Sequence, residues 1–552
     1  MRSLIAAVVT GVLLLAATCV SAAEYYIDSA TGDDAAVGTA QGKPWKTIAK
    51  INASKFQPGD QILFKRGGVW REQLMPPSDG VKDKPIVFGA YGDGAARPRI
   101  LGSIDKTGQA NWTQDSANPK LWAVQGVKWE ANFFKLRQGM IFHDGIGGQQ
   151  RPKKDDLKSD WEWWIDQANA RAYVYLGHNP GTHAIEIQQR PGKGEASVGF
   201  AGNQYITIKD LEFAYAEIAI GIWAGKYWTI ENCLFHDIVV DAVHINGPAD
   251  NRPHGNIIRN CEFRDWNWKG YKLMEHNWKE WGKSEPFMGY AIHVFQGDDQ
   301  QVLNNRFTVV NMLSKMDCSP IAFDNGGHAA LIEGNYVDGA NRIGGPSGGL
   351  MLWATKGTTP MVVRNNVFKN IGGLGIIFQD CAQHKFEQPV TIENNILTNM
   401  CGDDLLDQEV IRVWSNYAQA GLVTVRNNLI YNIPQGKNTH AGIRVRQSKA
   451  VVENNTVVTA DQGLRVENNS TVAATGNIST GAYQAACSVT KDSKLTESRN
   501  CWNGKADGFA PDASDKSAAP KFTDPAKSDF SQAKDSPCAG LGADVTKLPK
   551  QK

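Results

Sequence analysis

Met361 to Phe368, read as MVVRNNVF, carries a pattern that recurs down the chain: an apolar residue, any residue, Asn or Gly, then Asn or Cys. The copies are Ile230-Glu231-Asn232-Cys233, Ile258-Arg259-Asn260-Cys261, Val302-Leu303-Asn304-Asn305, Ile332-Glu333-Gly334-Asn335, Val363-Arg364-Asn365-Asn366, Ile392-Glu393-Asn394-Asn395, Val425-Arg426-Asn427-Asn428 and Val452-Glu453-Asn454-Asn455, with a weaker ninth ending at Gly476-Asn477. Their last positions lie 28, 44, 30, 31, 29, 33, 27 and 22 residues apart. A near-fixed period with loops of variable length marks a solenoid. The units are rich in Val, Ile and aromatics, alternate apolar with polar, and are broken by Gly and Asn, so they are short strands rather than helical pairs.

In a coil of parallel strands, equivalent residues of successive turns stack at roughly 4.8 Å. A buried Asn repeated at that spacing can bond to its copies above and below, which satisfies its amide. The pattern therefore predicts an asparagine ladder. The residue before the first Asn points outward, where Glu333, Arg364, Glu393, Arg426 and Glu453 alternate in charge. Opposite charges then sit side by side on neighbouring turns, a structural column.

Repeat proteins grow by adding turns, so 552 residues fit one elongated body. The formal charge of +1 vanishes once the segment carrying Arg2 is removed, which excludes a global attraction for nucleic acid. Met1 to Ala23 reads as a secretory signal: Arg2, an apolar run from Leu4 to Ala17, and small residues at Val20-Ser21-Ala22-Ala23. The run is short for a membrane span. Cys19 offers a lipoprotein alternative, but Thr18 before it is a poor match. Export, with cleavage near Ala22 or Ala23, leaves a secreted or periplasmic protein with eight of the nine cysteines. Cys233 and Cys261 fall on the ladder position of adjacent turns, where they stack or bridge. Cys487 with Cys501 and Cys381 with Cys401 are other possible pairs, and no zinc-type spacing is present.

Pro44 to Phe56 places Trp45, Ile48, Ile51 and Phe56 at helical spacing, and a helix here would cover the open end of the first coil. Strands follow at Gln61 to Lys65, Pro85 to Ala90 and Arg99 to Gly102. Tyr25-Tyr26-Ile27-Asp28, then GDD, KPWKTIAKIN, PGDQILFKRGGVWR and KPIVFGAYG, resemble the N-terminal region of secreted bacterial right-handed parallel β-helix proteins. That pectate lyase-like group includes polysaccharide lyases, epimerases and glycoside hydrolases. The resemblance implies an all-β, right-handed parallel β-helix solenoid acting on polysaccharide, and is specific for fold rather than for reaction. The expected units are a signal peptide over 1–23, an N-terminal cap and first coils over 24–103, an inserted aromatic-rich β element over 104–200, the central β-helix over 201–480, and a C-terminal cap over 481–552. Within the insertion, Asp160 to Ile165 and Arg171 to Leu176 read as a β-hairpin that walls one side of the coil. A second excursion between Asp265 and Tyr290 holds Trp266, Trp268, Trp278 and Trp281, either as a satellite core or as part of a sugar site.

A further strand precedes each ladder strand. Aligned, these read Ile220 to Trp223, Val243 to Asn246, Ile292 to Phe295, Ile321 to Asp324, Leu350 to Trp353, Ile376 to Gln379, Ile411 to Trp414 and Ile443 to Arg446. First and third residues face the core, so second and fourth point out. The outward columns collect His244, His293, Arg412, Arg444 and Arg446 with Trp223, Phe295, Trp353 and Trp414, plus Asn246, Asp324 and Gln379. Aromatic faces pack on sugar rings and guanidinium forks pair with carboxylates, so the columns suit an extended acidic glycan. The commonplace alternative for each is packing or a solvated face.

Two reactions use such a groove. In a lyase or C5-epimerase, a cation neutralises the uronate carboxylate and a base takes the C5 proton. His244 or His293 could be that base, with Lys315 a rival and Arg412 the neutraliser. Asp241, one pleat before His244, could be catalytic, a calcium ligand or a turn residue. In a glycoside hydrolase two carboxylates flank the bond, and Asp324 with Asp241 or Asp299 would be the pair. A non-catalytic glycan-binding scaffold is the third reading. Substrate contacts are assigned to Trp223, Phe295, Trp353, Gln379, Trp414, Arg444 and Arg446. Calcium, used by several members of the resembled group, could be held by Asp298 and Asp299 or by Asp403, Asp404 and Asp407, although Asp298 and Asp299 also read as turn residues. The expected partner is an acidic polysaccharide, with no nucleic acid, no membrane span and a monomeric state.

Overall fold

The computed structural model describes residues 22–127, 140–151, 153–189, 196–199, 202–264, 290–308, 319–339, 348–353, 357, 359–379, 388–401, 408–415, 423–436 and 439–550. The signal segment as far as Ser21, the four tryptophans between 265 and 289, Lys315, Cys381 and the Asp403–Asp407 cluster lie outside these residues.

Successive turns climb a right-handed parallel β-helix. Each turn contributes a strand to three parallel sheets of 14, 13 and 12 strands. The two strands per turn legible in the sequence are therefore three. The ladder sheet holds the strands that precede the Asn pairs, such as Met361–Arg364. The stacking sheet follows them, with Val367–Ile371 as its representative. The site sheet carries the outward columns, as in Gly348–Trp353. Its aligned register is as expected from sequence: Gly221 pairs with His244, His244 with His293, and Ile377 with Arg412 and on to Arg444.

Two positions explain the repeat. The first Asn of each copy bends the chain from ladder sheet to stacking sheet in the left-handed region, with φ of 49° at Asn232, 58° at Asn365 and 53° at Asn454. Only Asn and Gly adopt this backbone readily, which is why Gly334 and Gly476 stand there in two copies. The second Asn points inward and is buried. Asn366 donates its amide to Asn395 Oδ1 at 3.0 Å, Asn395 to Asn428 at 3.0 Å, Asn428 to Asn455 at 3.0 Å and Asn455 to Asn477 at 3.0 Å. The ladder runs one rung beyond the ninth copy, to Asn500, where Arg499 takes the left-handed position. Cys233 and Cys261 open it as stacked, unbridged thiols. On the outside, Arg364 pairs with Glu333 at 3.0 Å and Arg426 with Glu393 at 2.6 Å. Such half-exposed pairs contribute about 0–1 kcal/mol each. The stacking sheet adds a pile of rings, Phe213, Phe235, Phe263 and Phe307, at 5.3, 4.8 and 4.7 Å.

The predicted N-terminal helix shrinks to Ile48–Asn52, capped by the Thr47 hydroxyl, while Trp45 joins an extended bridge to Ile27. Trp45, Ile48, Ile51 and Phe56 are nonetheless buried over the first coil. The hairpin of the insertion forms as Glu162–Asp166 and Arg171–Tyr175. This element has its own core around Trp112, Trp163, Ile165 and Ile185, and is tied to the coil by a two-pronged Arg71–Glu186 ion pair.

The C-terminal region departs from a simple cap. The coil continues through Cys501–Asn503, and the tail then turns back along the outside of the stacking sheet. Phe530 packs on Tyr431, Val367, Ile396 and Leu429 there. A disulfide joins Cys501 to Cys538, which corrects the Cys487–Cys501 pairing and leaves Cys487 a buried thiol. No helix of the described residues is long and apolar enough to cross a membrane.

Candidate functional site

The site sheet does not alternate strictly. At the start of its strands two consecutive residues, Ala242-Val243, Ala291-Ile292 and Val410-Ile411, all pack into the coil. The side chains three apart on either side of each pair therefore emerge on one outward face. This brings Asp241 to His244 and Glu409 to Arg412.

On that face Asp241 Oδ2 lies 2.7 Å from His244 Nδ1 and 3.2 Å from His293 Nδ1 of the next turn. The two imidazoles meet edge to face at 5.2 Å, and Tyr290 leans on His293 at 4.2 Å. All three polar groups are buried, Asp241 at 2%, His244 at 6% and His293 at 4% exposure. Burial alone would raise the Asp241 carboxyl. The charge of His293 and the hydrogen bonds from both rings outweigh it and hold the carboxyl down at about 2. With Nδ1 of each ring turned to Asp241, Nε2 is the atom left for other contacts, and His293 Nε2 is buried without a hydrogen-bond partner among the described residues. A buried nitrogen left unpaired is costly. The three groups also sit close enough to hold a metal ion. Their shared contact at Oδ2 is equally that of a carboxylate accepting two N–H bonds.

The remaining expected site residues separate into several environments. Asp324 lies at the outward position next to Phe295 and Trp353, half-buried, with its carboxylate accepting the Asn325 N–H at 2.6 Å. Trp223 is 45% exposed and open to solvent. Trp414 is half-buried, with the Arg446 guanidinium over its ring at 4.6 Å. Trp353 packs on Met351 in an apolar cluster that also buries Tyr290 and Ala322. Gln379 continues that row beside Trp353 and Trp414.

Three expectations change. The middle of the outward face is not an open groove, because Ala322, Met351 and Ile377 are buried along with the histidines. Arg412 and Arg444 are not free clamps: Arg412 is held by Glu409 at 2.7 Å, and Arg444 bonds both Glu409 and Glu467. Asp298 and Asp299 are not open calcium ligands. The Arg252 guanidinium binds Asp298 at 2.9 and 3.0 Å, while Asp299 accepts the Thr359 hydroxyl at 2.5 Å and faces the buried His328. Glu409 and Glu467 were the residues missed. The signal for Glu409 lies in the sequence, as the carboxylate three before Arg412 repeats the Asp241 to His244 spacing.

A family model of the right handed β-helix region matches residues 196–418 and 348–503. A 104-residue stretch is 38% identical to a lacto-N-biosidase of Bifidobacterium longum subsp. longum, a match covering 18% of this chain and 6% of that protein's length. The backbone is similar to that of XylC in complex with xylose, with a TM-score of 0.53 and 16% identity over 91% of this chain and 87% of the other. It is similar to an alginate lyase at a TM-score of 0.44 and 14% identity, over 96% and 93% of the two chains. Three stacked parallel sheets, the inward Asn column and a family match spanning more than half of the residues place this chain in the right handed β-helix family.

Proposed function

We propose that this chain is an exported polysaccharide-active enzyme that removes the C5 proton of an acidic, uronate-containing polymer, as a lyase or a C5-epimerase. The observation that carries the reading is the Asp241 carboxylate shared by His244 and His293, with a buried His293 Nε2 beside it that has no partner among the described residues. A carboxylate that orients an imidazole through Nδ1 sets its Nε2 up to take and return protons. In the lyase course, Nε2 of one histidine accepts the C5 proton, the C4–O bond breaks as the C4–C5 double bond forms, and the leaving oxygen takes a proton from the second ring. In the epimerase course the first ring keeps the C5 proton and the second ring delivers its own proton to C5 from the opposite face, with the C4–O bond left intact. Arg412, Arg444, Arg446 and Arg465 share Glu409 and Glu467, and these six groups leave a net positive charge suited to a polyanion. The half-exposed Arg446 on Trp414 supplies a guanidinium beside an aromatic face.

The hydrolase reading is favoured by the stretch related to a lacto-N-biosidase. It requires a carboxyl kept protonated as general acid. Asp241, held at about 2, does not suit that acid role and in this reading could serve only as the second, ionised carboxylate beside Asp324, a place Asp299 could also take. A non-catalytic scaffold could keep the same imidazole pair as a packed polar network, and it is separated from the enzymatic reading by activity alone. Incubation with alginate, pectate, glucuronan and glycosaminoglycans, followed at ~232 nm where an unsaturated uronate absorbs, tests elimination. A rise on at least one polyuronate is expected. No rise, no epimerised product and no new reducing ends on the whole panel would overturn the enzymatic reading.

A further inference from the structure

The inserted β element carries a second imidazole cluster, formed where the turn after Ile141–His143 meets the short helical turn Pro180–Thr182. His178 Nε2 and His183 Nε2 face each other at 3.0 Å. His183 Nδ1 lies 2.6 Å from Asp144 Oδ2, and the other oxygen of that carboxylate accepts the Ala184 N–H at 3.0 Å. Behind them, His143 lies flat on Trp161 at 3.7 Å, and Trp161 meets the edge of His183 at 5.0 Å. Asp144 and Trp161 both hold left-handed backbone, φ 48° and 63°. For a bulky Trp this is strained, and strain of that kind collects at functional positions.

We propose that His178 and His183 chelate a divalent transition-metal ion of the zinc, nickel or copper class, with Asp144 bracing His183 from behind. Two nitrogens each about 2.05 Å from one ion stand about 2.9 Å apart at a right angle and about 3.3 Å apart at the tetrahedral angle. The observed separation of 3.0 Å falls between these values. The Asp144 contact fixes the proton of His183 on Nδ1 and leaves Nε2 as its donor atom, which is the carboxylate–histidine–metal arrangement that orients a ligand and raises its basicity. The two rings, 5.2 Å apart between centres, stand nearly end to end, and a rotation of the exposed His178 ring turns both lone pairs onto one ion. Imidazole pairs suit borderline ions, whereas calcium and magnesium prefer oxygen. His178 is exposed, so the remaining coordination positions open to water or to an oxygen of a bound sugar. The ion would staple the loop over 177–184 to itself, and the Asp144 contact would hold that loop against the turn after Ile141–His143. The site is independent of Asp241, His244 and His293.

The test uses tag-free full-length protein, because a polyhistidine tag would itself bind the probe. Zinc chloride titrated calorimetrically, with copper(II) electron paramagnetic resonance as a second readout, is expected to show one equivalent bound through imidazole nitrogen. His178→Ala and His183→Ala abolish that equivalent, and Asp144→Asn weakens it by about 10–100-fold. His293→Ala retains it, which separates this site from the Asp241 cluster. Circular dichroism of each variant confirms that the fold persists. No binding up to about 1 mM zinc means the two rings share only a hydrogen bond and overturns the proposal. Binding that survives both His178→Ala and His183→Ala, or that disappears in His293→Ala, overturns it equally.

Discussion

His293 is a buried imidazole with one nitrogen committed to Asp241 and the other without a partner among the described residues. If it moves the substrate proton, His293→Ala lowers kcat by about 10²–10⁴-fold in protein that circular dichroism shows to be folded. Asp241→Asn keeps a hydrogen-bond acceptor but removes the charge that fixes both rings. It should lower kcat about 10²-fold with KM nearly unchanged and shift the acidic limb of the pH–rate profile, which steady-state kinetics across pH will show. A loss confined to KM would instead mean that these rings only bind. The sequence made this cluster legible because strand alternation put His244 and His293 in one column. It did not reveal that the column is covered, since a period of two tells which way a side chain points and nothing of what lies over it. For the same reason Arg412 and Arg444 read as clamps. Their carboxylate partners Glu409 and Glu467 sit at positions where the simple alternation breaks or on a later turn.

At the level of the repeat, two Asn side by side have different work. Asn395 bonds the turns on both sides and is fully buried, so Asn395→Ala leaves neighbouring polar groups unpaired and should cost about 2–4 kcal/mol in denaturant unfolding. Asn394, at φ 56°, supplies mainly a left-handed bend, so Asn394→Gly should change stability by less than ~1 kcal/mol. Equal losses at both positions would contradict the assignment. The C-terminal end of the ladder has its own device. Asn500 gives its side-chain amide to Glu497 at 2.9 Å and its backbone N–H to Asp515 at 2.7 Å. Burial and the hydrogen bond to Glu497 push the Asp515 carboxyl up to about 7. A carboxyl raised in the folded state stabilises below its unfolded value near 3.8, and that contribution is lost as pH rises through about 7. Thermal unfolding followed from pH 5 to 8 should therefore show the last coil weakening, and Asp515→Asn should flatten the trend. The Asn-or-Gly choice was visible in the repeat from the start. The acid pair was not, because Asp515 reaches Asn500 only after the chain turns back.

Across the whole molecule, period and composition together foretold a β-solenoid with an inserted hairpin, and these are present. They did not foretell where the tail goes, because a segment without periodicity has no register to read. The structure lays it against the stacking sheet and pins it through Cys501–Cys538, a separation of 37 residues. Closing a loop of that size stabilises by about 3–4 kcal/mol on a chain-entropy estimate. Cys538→Ser should accordingly speed hydrogen exchange from Phe522 to Leu548 while leaving the Asn ladder protected. Equal exchange in the two proteins would mean the apolar contacts of Phe530 suffice alone. The molecule's central claim, proton removal at C5 of a uronate by the Asp241 cluster, is tested most directly by proton NMR of polyuronates incubated in deuterium oxide. Wild-type protein should produce an olefinic C4 proton or replace the C5 proton by deuterium, and His293→Ala should do neither. New reducing ends without either signal, or signals undiminished in His293→Ala, would contradict it.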